Sequence, residues 1–285
     1  MRSSLILSTI FASALAAPLV SWSPALGEFY AAVERHIQTA RQTGTVTNPP
    51  TCNLSKAVQP VAPTPLPAPD PSWTLTEVVV GRGVQVCSLI MPSTYQSTNN
   101  MRQNYTCSLA SADVTPKAVG ALASLYNVSC IAANYPDILN MLPGLALQYA
   151  LPADPSANLE PSNLDLVGHH YFSNNGTPTF DLSQVSTSVN AVSKIVSQDL
   201  GIARFKANSN SSAPANAPKG DNGAGDGAVP WLLLDATYGT IGDIVAVYRL
   251  ETAGGKAPTT CESSPAYFSV QYAATYWFYT KPGAL

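Results

Sequence analysis

The strongest constraint on this chain lies in residues 229–262, VPWLLLDATYGTIGDIVAVYRLETAGGKAPTTCE. Residues 229–234 and 244–250 are short apolar runs, the second rich in β-branched side chains, and Tyr238-Gly239-Thr240-Ile241-Gly242 between them is a turn. Runs of that length bounded by turn residues read as buried strands. Gly254-Gly255 then breaks the chain. Two adjacent glycines can take positive φ at both central positions of a tight turn, which predicts a hairpin there. The segment dictates a sheet core and no particular chemistry.

The same pattern recurs along the chain. Residues 73–80 form a β-branched run, and 164–172 (LDLVGHHYF) and 177–182 flank an Asn174-Asn175-Gly176 turn, a hairpin signal. Residues 267–279 put Phe268, Val270, Tyr272, Ala274, Tyr276 and Phe278 on one strand face and Trp277 and Tyr279 on the other. Residues 118–128 fit a buried strand or a helix, and 183–207 read as strand and loop. Helical signals are few. Residues 26–43 place Phe29, Val33, Ile37 and Ala40 on one face, with His36 on the solvated side. A short helix opens at Pro136 and closes before Pro143-Gly144. The fold class expected is mainly β, a β-sandwich or partly closed β-barrel with a short N-terminal helix and minor helices.

Arg2, an apolar run over residues 5–15 and Ala14-Leu15-Ala16 predict a secretory signal over 1–16, too short to span about 30 Å of hydrocarbon. A helical segment (17–48), a proline-rich strap (49–72) and a single β-rich domain (73–285) follow. Only 11% of residues are charged, against about a quarter in an average chain, so solubility needs another source. Sequons at Asn53, Asn104, Asn127, Asn175 and Asn210 offer glycans as that source. A net charge of -3 points away from nucleic acid, and no membrane insertion is expected.

Chemical motifs are sparse. Gly81-Arg82-Gly83 lacks the rest of a dinucleotide loop, and residues 220–227 read as a flexible surface loop. No cofactor or metal is implied. His169-His170 would point to opposite strand faces, so the pair cannot easily chelate one ion. One of them could act as a base with an acid such as Asp235. Arg249 in a buried strand calls for a carboxylate partner, with Asp235, Asp243 and Glu251 as candidates. Trp231 and Tyr171 are the aromatic candidates for binding.

GRGVQ, NYTC, ASLYNVSC, VGHHYF, VPWLLLDAT, AVYRLETAGGKAPTTCE and YAATYWFY together resemble a family of secreted proteins of unknown function from filamentous fungi and bacteria. Its members often carry the label malate dehydrogenase, which the missing dinucleotide loop does not support. The family pattern implies a contiguous G-x-Q-N-Y-T-C, whereas here residues 86–103 separate Gln85 from Asn104. Those 18 residues correspond to 54 in-frame nucleotides. Val86-Cys87 can be encoded GTN-TGY, residues 98–100 can carry a CTAAC-like sequence, and Gln103 can be CAG, which together read as a retained intron. The alternative is a surface insertion.

Five cysteines leave an odd thiol in an exported chain, and removing Cys87 with the insertion leaves four. Four allow three pairings; the expected one is Cys107–Cys130 with Cys52–Cys261, the latter pinning the strap. The function expected is that of a secreted glycoprotein, a non-catalytic extracellular β-domain that binds a cell-wall or host glycan or protein. The alternative is a secreted hydrolase-like enzyme using His169 or His170 with an acidic partner.

Overall fold

A computed structural model describes residues 23–44, 51–83, 103–149, 159, 164–173, 176–183, 199–219 and 227–283. The expected signal peptide, Cys87, Asn175, residues 86–102 of the insertion and most of the 183–207 and 220–227 segments lie outside the described residues.

Among the described residues eleven strands carry the fold: β1 (Thr74–Arg82), β2 (Gln103–Thr106), β3 (Lys117–Ala121), β4 (Ala123–Asn127), β5 (Leu166–Phe172), β6 (Pro178–Asp181), β7 (Ile202–Ser211), β8 (Trp231–Ala236), β9 (Ile244–Gly254), β10 (Tyr267–Val270) and β11 (Tyr272–Thr280). Eight close into a barrel in the order β1-β11-β9-β8-β7-β6-β5-β4, and β10-β2-β3 form a small second sheet. Every ladder is antiparallel. Closure removes the sheet edges that an open sandwich would leave unpaired.

Side-chain alternation sorts each strand into a lumen face and an outer face. Val79, Leu125, Phe180, Phe205, Val247 and Phe278 fill the lumen, as expected for a barrel of this strand number. On β11 the predicted alternation holds: Tyr272, Ala274, Tyr276 and Phe278 join the lumen cluster, and Trp277 and Tyr279 the outer one. Gly81 makes room for this arrangement, since a Cβ there would lie 2.6 Å from the Tyr276 ring.

The outer face is covered by helices and by the strap. Helix α1 (Pro24–Thr43) starts where the Ser23 side chain accepts from the Leu26 N–H and ends at Gly44, with φ 70°. Its apolar stripe is Leu26, Phe29, Ala32 and Val33; Ile37, expected on that face, is 40% exposed. His36 takes the inward turn instead and bonds Asp137 at 2.9 Å, so it is not the freely solvated ring expected. Asp137 opens α3 (Pro136–Ala146), and the paired His36 helps hold its carboxyl below the ordinary range. Pro143 does not end this helix, which runs on to Ala146. Helix α2 (Ser129–Asn134) precedes it.

Three buried side chains on the outer face tie these layers together. Arg82, 1% exposed, donates to the carbonyl of Ala146 at the end of α3, to those of Leu147 and Tyr149 beyond it, and to that of Gly83. A guanidinium satisfies the orphan carbonyls of a helix C-terminus and suits its dipole. Burial lowers its pKa to about 10. Tyr248 and Tyr279 donate to the strap at Pro67 O (2.8 Å) and Gln59 Oε1 (2.6 Å).

Several expectations need correction. The disulfides are Cys52–Cys130 and Cys107–Cys261, not Cys107–Cys130 with Cys52–Cys261. Cys107 follows β2, whose ladder with β10 brings it to the loop carrying Cys261, as the Cys107 N–H to Ala266 O bond at 2.9 Å records. Cys130 on α2 faces the strap instead, and Asn134 Nδ2 reaches Thr51 O there at 3.1 Å. Gly254 and Gly255 do take positive φ, but β9 runs through Gly254 and no two-residue hairpin forms. Residues 118–128 resolve as strands β3 and β4 rather than a helix.

Candidate functional site

The lumen end near Pro230 and Gly255 gathers the polar groups of the barrel interior. Arg249 on β9 stands opposite Tyr276 on β11 and Leu232 on β8. Its guanidinium donates through Nε and Nη2 to the Pro230 carbonyl at 3.2 and 2.8 Å, and its charge acts on the Tyr276 phenol. Among the described residues no carboxylate pairs with it. Asp235 is two strand positions from Leu233 on the outer face, where it accepts from Asn208 Nδ2 at 2.8 Å, and Asp243 pairs with Lys281 at 3.9 Å. Glu251 accepts from Thr275 Oγ1 at 3.1 Å, and burial pushes its pKa up to about 7.

His170 shares this lumen with Arg249. It is 3% exposed, stacked on Phe180 with ring centroids 4.0 Å apart, and its Nδ1 lies 2.9 Å from Thr179 O. Its ring centroid is 6.0 Å from that of Tyr276, whose hydroxyl lies 3.2 Å from that of Tyr272. Burial first, and the Arg249 charge with it, press the His170 pKa down to about 4. A neutral ring, carbonyl-bonded and enclosed by aromatics, is a packing element of the lumen and is poorly placed to take a proton from a substrate in solution.

The other expected residues lie elsewhere. His169 faces outward, opposite Ser124 on β4 and Asp181 on β6. Burial lowers its pKa while the Asp181 charge works against that. Tyr171 lies half-buried two positions along the same strand. Trp231 is 5% exposed in the outer core, with no partner for its Nε1 among the described residues, so no ring face is free to stack on a sugar. Structure thus unites His170 with Arg249 and separates both from Asp235, Trp231, His169 and Tyr171.

A hollow of about 300 Å³ lies at the same rim, and sequence reasoning missed it. It runs between the segment after β7 and the chain entering β8, lined by small residues such as Ser212 and Ala228, by Pro230, and by Lys219 and Lys256. Both lysines are exposed, and among the described residues neither joins an ion pair. Pro230 links hollow and lumen, since its carbonyl holds Arg249. No local signal marks these lysines; Lys256 follows the glycine pair and Lys219 a proline-rich stretch. Among the described residues no group of His, Cys, Asp and Glu is arranged to hold a metal ion.

Fold and site define a closed, disulfide-stapled eight-stranded barrel with a helical outer layer and a basic rim. The chain belongs to the family described as Protein of unknown function (DUF3455), whose model matches residues 92–280. A second model, Protein of unknown function (DUF2990), matches residues 8–67. Neither concerns malate dehydrogenase. No curated protein and no solved structure matches the chain.

Proposed function

We propose that this protein is an exported, non-catalytic binding domain that takes a carboxylate-bearing glycan of a cell wall or host surface on the basic hollow at the barrel rim. The observation that carries the reading is the hollow itself, where Lys219 and Lys256 stand without carboxylate partners among the described residues. Two cations over small, proline-rich walls suit an extended anionic chain, drawn by charge and seated without a deep pocket. Export is supported by two disulfides, and among the described residues no helix is long and apolar enough to cross a membrane. Exposed Asn53 and Asn210 are open to glycosylation on the exported chain. An array of acidic and neutral glycans tests the reading: retention of uronate-containing chains supports it, and retention of neutral chains alone defeats it.

One arrangement favours a second reading, a hydrolase-like enzyme. Ser124, His169 and Asp181 stand directly opposite one another across β4, β5 and β6, residue types that serve nucleophilic hydrolysis. Against it, Ser124 is buried at 8% exposure, which keeps its hydroxyl from a substrate in solution. Ester turnover abolished by both Ser124→Ala and His169→Ala, with the fold intact, would establish this reading over the first.

A further inference from the structure

The registers of β1 and β2 carry a numerical relation that both neighbouring strands report. Arg82 pairs with Ala273 on one side and Ser124 on the other. Gln103 pairs with Val270 and with Ala121. Three residues along either neighbour therefore correspond to 21 along the central chain, an excess of 18 counted independently on two sides. The neighbours run on without interruption. Only Gln271 separates β10 from β11, and only Leu122 separates β3 from β4. The Gly83 N–H also donates to Tyr272 O at 2.9 Å, so the β1 ladder continues to the junction.

β1 and β2 are therefore two pieces of one strand, hydrogen-bonded on both sides. Insertions sit at strand ends, where no ladder bonds cross, and a bulge inside a ladder admits one or a few extra residues. Eighteen residues leaving an inner strand, with neither neighbour shifted, leave the sheet as it would be without them. Deleting 86–103 puts Gln85 in the ladder position of Gln103, the same residue type. The cysteines agree, since Cys52, Cys107, Cys130 and Cys261 are consumed in two bridges and Cys87 is left as the odd thiol.

We propose that the working form of this protein lacks residues 86–103, its β1 and β2 forming one continuous strand, and that the 54 nucleotides encoding them are a retained intron. The full chain and the 86–103 deletion, both expressed into an oxidising compartment, provide the test at the protein level. The deletion is expected to fold with no free thiol, to keep both disulfides, to melt about 5 °C or more above the full chain, and to protect the amides around the junction from exchange. A deletion chain that melts below the full chain, or fails to form Cys107–Cys261, overturns the proposal. Sequencing of reverse-transcribed message supplies a readout independent of folding: a principal transcript without the 54 nucleotides is expected, and one that keeps them overturns it.

Discussion

Arg249 stands opposite Tyr276 in the β9–β11 ladder, and the ring of His170 lies within 6.0 Å of that tyrosine's. A cation, a phenol and an imidazole thus share one low-dielectric end of the lumen, where like charges raise each other's cost.

Replacing the cation should show in the histidine. Arg249→Met keeps most of the packing and removes a charge that depresses His170. The His170 pKa, read by NMR titration of the ring protons, should rise from about 4 in the variant while staying below 6.5, because burial is the larger cause. Loss of the bonds to Pro230 should cost about 1–2 kcal/mol in denaturant unfolding. An unmoved His170 would show that the two groups are not coupled.

Glu77 gives stability an alkaline weakness. It is 5% exposed, accepts from Asn127 Nδ2 at 3.0 Å, and burial raises its pKa from 4.5 to about 8. Between those values the folded state holds a proton that the unfolded state has released, so stability falls as pH rises. That contribution is fully present below about pH 4.5 and gone above about pH 8. His170 works in the opposite sense: its folded pKa is depressed, so it costs stability as pH falls from 6.5 toward 4. Glu77→Gln, a mimic of the protonated acid, should be more stable than wild type at pH 9 by roughly 3–5 kcal/mol and nearly equal to it at pH 4. Urea melts across that range check the prediction, and parallel pH profiles for both chains would refute it.

The bridges should differ in what they hold. Cys52–Cys130 ties the strap to α2, and Cys107–Cys261 ties β2 to the loop ahead of β10. Removing either pair as a double alanine variant should cost about 2–5 kcal/mol. Loss of Cys52–Cys130 should release the strap to proteolysis near Val58 and Val61, which are already exposed, while the barrel survives. Non-reducing peptide maps should contain these two links and no Cys52–Cys261 peptide.

Glycan occupancy should follow side-chain engagement. Asn127 is committed on both sides, its Nδ2 to Glu77 and its Oδ1 to the Ser129 N–H at 2.9 Å. Asn53 and Asn210 are exposed. Glycopeptides from the exported protein should carry sugar at Asn53 and Asn210 and none at Asn127; occupied Asn127 would require the Glu77 contact to break.

Much of the fold was legible because strand burial is written in period two. The aromatic alternation of residues 267–279 and the turn at Asn174-Asn175-Gly176 locate β11 and the β5–β6 hairpin directly. Closure was not legible, since pairing β1 with both β4 and β11 depends on contacts far apart in sequence. The disulfide expectation failed for the same reason: which cysteine β2 delivers to Cys261 is set by the β2–β10 register, which no local pattern encodes. The opposite orientations of His169 and His170 followed from strand geometry, but the partner of Arg249 did not. The Pro230 carbonyl holds a cation for which the sequence suggests only carboxylates.

Calorimetric titration of the protein with a galacturonate oligosaccharide, beside a neutral glucose oligosaccharide of equal length, tests the binding reading most directly. The acidic chain should bind, weaken as salt is added, and lose at least about tenfold in affinity in Lys219→Glu with Lys256→Glu, while the neutral chain does not bind. Equal binding of both oligosaccharides, no binding of the acidic one, or binding untouched by the charge reversal would contradict the account.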